Sequence, residues 1–339
     1  MRIAVDAMGG DHAPDEVVLG AVAALEEMDD IEVCLVGQRE EIEPRLPDQG
    51  RLARLSIVEA QEVISSDEEP VKAVRQKGNS SMMVGLRLVR EKQVDALVSA
   101  GNTGALMAGA LLTLGRLEGI QRPALGTLIP SVKGRGVLLL DVGATVSVRP
   151  ENLLQFAVMG SIYVNQALGI TRPRVGLLNV GVEETKGNEV VKRAYCLLAS
   201  SNLNFVGNVE GRDIISGVAD VIVCDGFVGN VVLKHTEGLA AALFTFFRRE
   251  FKKSVRTKIG AYLLAPALRA VAGRLDYAEY GGAPLLGVNG ICIKCHGSSR
   301  RRAIQNGIRV ACRLVAGDLT SQIRSNLGAE NGEKGASHE

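Results

Sequence analysis

Glycine, aspartate, asparagine and a few basic residues recur together in this chain, each time directly after a short apolar run. Asp6 leads into Ala-Met-Gly9-Gly10-Asp11-His12, and Ser99 into Ala-Gly101-Asn102-Thr103-Gly104. Asp141 leads into Val-Gly143-Ala144-Thr145, and Asn179 into Val-Gly181 and then Glu183-Glu184-Thr185-Lys186-Gly187-Asn188. Asp225 leads into Gly226-Phe227-Val228-Gly229-Asn230, and the run Ile291–Lys294 into Cys295-His296-Gly297-Ser298-Ser299. Glycine lets a ligand approach the backbone closely, and the start of a following helix offers unpaired amide N–H groups at the positive end of its dipole. That pairing suits phosphate. If the preceding strands are parallel, their ends share one edge, and the six turns line a wide cleft for an anionic or phosphorylated substrate. The plain alternative is a set of ordinary strand–helix turns with capped helices.

The elements that would position these turns are legible as an alternation. Arg2–Val5, Glu32–Val36, Leu55–Val58, Ala96–Val98, Gly136–Leu140, Arg174–Leu178, Asn204–Val206 and Val221–Val223 read as strands. Between most of them lie helical stretches, among them Asp15–Met28, Ser80–Glu91, Gly104–Leu117, Glu151–Leu168 and Glu189–Ser200. The pattern is that of an α/β protein, a three-layer α/β/α doubly wound sheet. Several strand runs are continuously apolar, as expected where both faces are covered. Ile304, Ile308, Cys312, Val315, Leu319 and Ile323 put one buried stripe on a helix from about Ser299 to Ser325. The expectation is a single catalytic domain over residues 1–327, with a disordered Gly/Glu/Asn/Lys/Ser tail over 328–339.

Composition removes several functions. The 339 residues carry a net charge of +1, which excludes a generally basic nucleic-acid binder, and 4% aromatics argue against a base-stacking platform. Gly-x-x-x-x-Gly-Lys-Ser/Thr, Gly-x-Gly-x-x-Gly and Gly-x-Ser-x-Gly are absent, which disfavours a P-loop ATPase, a dinucleotide site and an ordinary serine hydrolase. Cys292 and Cys295 have no second cysteine pair nearby, so no metal and no cofactor is expected; buried, reduced thiols of a cytosolic protein fit better. The N-terminus reads as a strand, and no apolar stretch reaches the ~18 residues of a membrane span.

With these residues in view, the chain resembles the bacterial PlsX-type phosphate acyltransferases of phospholipid synthesis over roughly residues 1–325. The strings that carry the resemblance are MRIAVDAMGGDHAP, DEEPVKAVRQKGNSSM, ALVSAGNTGALMAGAL, LLLDVGAT, RVGLLNVGVEETKGNE, FVGNVEGRDI, DVIVCDGFVGNVVLK, YGGAPLLGVNG and KCHGSS. It departs from that family at Thr145, usually Asn, at Gly78, commonly Lys, and at Cys295, commonly Ala. The resemblance implies reversible transfer of a fatty acyl group from acyl-[acyl carrier protein] to inorganic phosphate. It also implies an isocitrate-dehydrogenase-like fold related to phosphotransacetylase, a homodimer, and a membrane glycerol-3-phosphate acyltransferase that takes the acyl phosphate. A phosphotransacetylase-like enzyme acting on acyl-CoA and a non-catalytic carrier-protein-binding scaffold are the competing readings.

The implied step needs no enzyme nucleophile. Phosphate is already an anion, and thiolate is a tolerable leaving group, so the site must desolvate, orient and stabilise an oxyanion. On that reading Lys186 binds phosphate or stabilises the oxyanion, unless it is a solvated loop lysine. Asn230 donates to phosphate or carbonyl, or caps a helix; Asp225 orients Lys186 or Asn230, accepts a proton, or is a turn residue. Gly9, Gly10, Gly101, Asn102, Thr103, Gly104, Gly143, Gly226, Gly229 and Ser298 are the phosphate or substrate cradle, with capping as the alternative at Asn102 and Thr103. His12 and His296 are candidate acids for the departing thiol, or structural histidines. Ser80 and Ser81 cap the helix they precede, or touch substrate.

One segment stands apart in charge. Arg248 to Arg274 holds eight Lys/Arg and one acid, while residues 259–268 carry no charge. Lys258, Ile259, Tyr262, Leu263 and Leu264 therefore read as a peripheral membrane contact on the inner face, within a helical excursion near 245–280, or as a packed hairpin in a dimer. The same charge can dock an acidic carrier protein, an option Arg300 and Arg301 extend. Three arginines at a helix start oppose its dipole by a few tenths of a kcal/mol each unless an anion lies nearby.

Overall fold

The computed structural model describes residues 1–47, 53–275 and 281–326. The expected tail over 328–339 lies outside them, as do residues 276–280 of the basic excursion. Among the described residues eleven strands form one sheet in the order β3-β2-β1-β4-β11-β10-β5-β6-β9-β7-β8. In chain order these are β1 (Arg2–Asp6), β2 (Glu32–Gly37), β3 (Leu55–Glu59), β4 (Ala96–Ser99), β5 (Ala124–Ile129), β6 (Val137–Leu140), β7 (Arg174–Leu178), β8 (Asn204–Val209), β9 (Val221–Val223), β10 (Ala283–Leu286) and β11 (Ile291–Lys294).

Strand alternation builds two cores. Ile3 and Val5 face one side with Val33, Leu35, Leu138, Leu140, Val221 and Val223, under α1 (Asp15–Glu27), α6 (Pro150–Leu168), α7 (Glu189–Ala199) and α11 (Arg301–Ala316). Ala4, Cys34, Val36, Leu139 and Ile222 face the other side, under α3 (Pro70–Gln76), α4 (Ser81–Arg90), α5 (Thr103–Thr113) and α8 (Gly211–Ser216). Continuously apolar strands thus feed both layers, which makes the three-layer α/β/α arrangement.

The sheet is not parallel throughout, and this corrects the expectation of a single ligand edge. β3, β2, β1, β4 and β11 run parallel. β10 opposes β11 and β5, and β5 opposes β6. β6, β9, β7 and β8 then run parallel to one another, opposite in sense to the first group. The turns after β1, β4 and β11 therefore lie at one sheet edge, and those after β6, β7 and β9 at the other. The two strands that reverse the direction, β5 and β10, were not read from the sequence. Gly126 interrupts the first, and Pro284 between Gly281-Gly282 and Gly287 shortens the second.

Helix ends differ from the periodicity in one place. The C-terminal helix breaks at Gly317-Asp318, where Asp318 has φ 47°, and a second helical stretch covers 319–326. The carbonyl of Gly317 accepts from Gln166 Nε2 on α6 at 2.7 Å, so a tertiary contact replaces the helical bond. After β9 comes the longest helix, α9 (Gly226–Phe251), which turns back as α10 (Val255–Leu275), the basic, apolar excursion. Among the described residues no helix is long and apolar enough to cross a membrane.

Candidate active site

α9 starts at the second edge and crosses the sheet to the first, which is how residues from both edges come together. Its N-terminus is seated against the turn after β6. Asp141, fully buried, accepts from the amides of Leu125, Gly143, Ala144 and Thr145 at 2.9, 3.2, 3.0 and 2.6 Å. Burial pushes its carboxyl above the ordinary range, and these amides oppose that shift. A Cβ at Gly229 would lie 1.8 Å from the Asp141 carbonyl oxygen, so helix and turn meet backbone to backbone only because that residue is glycine. Gly226 is in similar contact with Asp141 and Thr145. Asp225 caps the helix, its Oδ1 accepting from Val228 N at 2.9 Å. Thr145 hands its hydroxyl to the carbonyl of Pro123 at 3.1 Å.

Between α9 and β5 with the turn after β6 lies a cavity of about 720 Å³. One stripe of α9 lines it, Asn230, Leu233, Lys234, Glu237, Ala240, Ala241 and Phe244, at the three- and four-residue spacing of a helix face. Leu125, Thr127, Ile129 and Val142 form the sheet wall. Gly143, with φ 137°, opens to Asn230. At the first edge the lining turns polar: Thr103, Gly104, Lys294, His296 and Ser299.

Lys294 and His296 set the electrostatics of this end. The Lys294 ammonium donates to the carbonyls of Ala100, at 3.3 Å, and Cys295. Burial lowers its pKa to about 8, against the opposing pull of Cys295 and Asp6. Asp6 is buried behind it and accepts from Ser81 Oγ and Ser99 Oγ at 2.6 Å each; burial raises its pKa and those hydroxyls oppose the rise. Nδ1 of His296 meets Ser298 Oγ at 2.8 Å and the Ser298 amide at 3.2 Å, while Nε2 faces Lys234 Nζ at 3.4 Å. Burial and the Lys234 charge lower the imidazole pKa, so it is neutral near pH 7. Burial pushes the thiols of Cys292 and Cys295 up to about 12, so neither is a thiolate nucleophile.

The remaining residues singled out from the sequence are distributed as follows. Asn230, Thr103, Gly104, Gly143 and His296 line the cavity. Asn102 adjoins it but is committed elsewhere: Oδ1 caps α5 at Ala105 N, and Nδ2 reaches the carbonyls of Ser66 and Glu68 at 3.1 and 3.2 Å. Gly9 and Gly101 pack against Asp6, and Gly10 sits against Ala100 and the carbonyl of Gly297. His12 does not line the cavity. Lys186 is exposed at the second edge, its loop held by Asn179 Nδ2 to its own carbonyl at 3.0 Å, and it does not line the cavity either. A smaller cavity there is lined by Asn179, Gly187, Asn188 and Asp225.

Neither serine caps α4 through its side chain: Ser80 stands at the N-cap with a buried hydroxyl that makes no bond, and Ser81 serves Asp6. The anion that the arginine-rich start of α11 calls for comes from the chain itself. Glu16 accepts from the Arg301 amide at 2.7 Å, and Glu26 lies 3.7 Å from its guanidinium; Arg300 is exposed beside them. Five of the cysteines are buried, but Cys196 is exposed, which corrects the expectation of uniformly buried thiols. No cluster of metal-ligating side chains occurs among the described residues. On α10, Ile259, Tyr262, Leu263 and Leu264 are exposed, as is Lys258.

Sequence reasoning missed Lys294, Ser299 and Lys234. Lys294 had a signal: a lone cation closing a continuously apolar strand run ends inside the protein unless the strand stops at a solvent edge. Lys234 had none, because its facing partner comes from a segment 62 residues away.

The family described as Fatty acid synthesis protein matches residues 1–322. The chain is 56% identical over 329 residues to a phosphate acyltransferase of Heliobacterium modesticaldum, covering 96% of this chain and 98% of that one. It is 57% identical over 328 residues to a phosphate acyltransferase of Desulfitobacterium hafniense, with coverage of 96% and 98%. Its fold is that of a phosphotransacetylase from Streptococcus pyogenes, with a TM-score of 0.60 at 17% identity over 93% of this chain and 94% of the other. The chain belongs to the phosphate acyltransferase family of fatty acid synthesis proteins, the family its motifs predicted.

Proposed function

We propose that this phosphate acyltransferase moves a fatty acyl group from the thioester of an acyl carrier protein to inorganic phosphate, using the cavity under α9. The observation that carries the reading is the cavity's division. One end gathers Lys294, Lys234, His296 and Thr103, and the rest is walled by Leu125, Ile129, Val142, Leu233, Ala240 and Phe244. From Lys234 to Phe244 the helix advances roughly 15 Å at helical rise, enough to shelter much of a long acyl chain while its thioester stays at the polar end.

The chemistry then balances without an enzyme nucleophile. An oxygen of HPO₄²⁻ attacks the thioester carbonyl, the C–S bond breaks with its electron pair going to sulfur, and the proton the phosphate carried ends on the thiolate. Asn230 is proposed to steady the carbonyl oxygen as it becomes an oxyanion, beside the open space at Gly143. Neutral His296 donates or relays a hydrogen bond beside Lys234 rather than acting as a strong acid. Lys186, exposed in the loop that leads into Asn188, is proposed to meet an anionic part of a substrate from the second edge.

The carrier protein, a homodimer, and a peripheral seat on the inner face of the membrane, next to a glycerol-3-phosphate acyltransferase, complete the proposal. The exposed Ile259, Tyr262, Leu263 and Leu264 beside a run of lysines and arginines support the membrane seat. Hydroxylamine traps acyl phosphates as hydroxamates, which tests the transfer directly. Hydroxylamine also cleaves thioesters, so the signal is the hydroxamate that appears only with both enzyme and phosphate, expected in proportion to the carrier released. Hydroxamate that forms equally without phosphate contradicts transfer to phosphate.

A further inference from the structure

At the polar end of the cavity a cation stands without a carboxylate of its own. Lys294 is 7% exposed, and its two hydrogen bonds go to neutral carbonyls, Ala100 and Cys295. An ammonium has three N–H groups, so one is left for a ligand. The charge behind it does not take that place, because both oxygens of Asp6 are held by Ser81 and Ser99. In the same lining Ser299 is 4% exposed, and its Oγ has no hydrogen-bond partner. A buried hydroxyl and a buried ammonium that both await a partner define a place for an oxyanion. Lys234 stands nearby too, but its ammonium is paired with Glu237 Oε2 at 2.8 Å, which leaves Lys294 as the cation without a carboxylate of its own.

We propose that Lys294 and Ser299 hold the phosphate that attacks the thioester, the ammonium donating to one phosphate oxygen and the serine hydroxyl to another. This rests on the acyl-to-phosphate reading above and names the subsite within it. A phosphate group reaches such a cavity from two sources, free inorganic phosphate or a phosphodiester of the donor's prosthetic arm. The site is assigned to inorganic phosphate, because the buried hydroxyl and the ammonium line the same cavity as Asn230, where the reacting carbonyl must lie.

The groups facing the Lys294 ammonium are Asp6 from β1, Asp11 from the turn after it, Cys295 and His296 directly after its own strand, and Lys234 from α9, which is paired with Glu237. With a pKa of about 8, Lys294 is charged below that pH and loses its charge as pH rises through it. Phosphate binding therefore weakens above about pH 8, although phosphate itself keeps its dianionic form there.

The test measures inorganic phosphate binding by calorimetry, without acyl donor, alongside the KM for phosphate and for palmitoyl-carrier protein. Lys294→Met is expected to weaken phosphate binding at least tenfold and to remove the loss of affinity above pH 8. Ser299→Ala, a smaller change that serves if Lys294→Met fails to fold, is expected to weaken it about threefold or more. In both variants the donor KM stays within twofold. Wild-type phosphate affinity in folded variants overturns the subsite and leaves the activity standing. A raised donor KM with unchanged phosphate affinity also overturns it, reassigning the cation to the donor's phosphodiester. Failure of the unsubstituted chain both to bind phosphate and to release thiol overturns the subsite together with the acyl-transfer reading.

Discussion

Asp225 carries two possible meanings in one side chain, and they separate by substitution. Its Oδ1 caps α9 at Val228 N, a bond whose loss in Asp225→Ala costs about 1 kcal/mol. Asp225→Asn keeps an acceptor for that bond. Urea unfolding of Asp225→Asn is expected to match the unsubstituted protein, with turnover within a fewfold; a full loss of turnover at unchanged stability contradicts the capping role assigned to it. Gly229 is sharper. A Cβ there meets the Asp141 carbonyl at 1.8 Å, so Gly229→Ala is expected to cost about 3 kcal/mol or more in the same assay. An unchanged midpoint contradicts the backbone-to-backbone seat. Residues of this kind show what was legible. Glycine and aspartate after each strand were visible as special positions, but whether a glycine admits a ligand or a neighbouring backbone depends on packing. Gly143 opens to the cavity, whereas Gly9, Gly101, Gly226 and Gly229 close against the protein.

Elements were easier to read than their directions. Nine strand runs were visible as apolar segments; in the central strands burial on both faces leaves an unbroken apolar string, while β3 and β8 at the ends of the sheet are only partly buried. β5 and β10 were not, and they are the strands that reverse the sheet and divide the turns between two edges. Reading α9 as a helix after Asp225 did not disclose that it crosses the sheet and unites both edges. That depends on the reversal. α10 presents a separate expectation. Tyr262 is 82% exposed and Leu263 is 73% exposed, so replacing both with serine removes apolar surface that touches little of the protein. Thermal unfolding of the double variant is expected to stay within a degree or two, while flotation with anionic vesicles falls several-fold. Vesicle binding as strong as that of the unsubstituted protein contradicts a membrane seat at this tip. The apolar stripe of α9 makes a further prediction. Each methylene sheltered there is worth about 0.8 kcal/mol, so donor KM rises roughly fourfold per methylene removed while the chain still lies within the arm. A KM indifferent to chain length places the acyl group elsewhere.

At the scale of the whole molecule, a sheet of two opposed parallel groups and one long crossing helix turn scattered motifs into a single enclosure. The fold class and family were readable because long motif strings recur in order over nearly the whole chain. The partition of the site was not, because Lys294, Ser299 and Lys234 meet only through the β4–β11 pairing and the path of α9. If that enclosure brings phosphate and thioester together, thiol release must depend on phosphate and on groups within it. The decisive measurement is phosphate-dependent release of carrier-protein thiol from palmitoyl-carrier protein, with palmitoyl-CoA in parallel, for the unsubstituted chain and Asn230→Ala. Saturable release from the carrier substrate, reduced at least tenfold in a folded Asn230→Ala, is the predicted result. Release that ignores phosphate, or that survives unchanged in Asn230→Ala, contradicts transfer within this cavity.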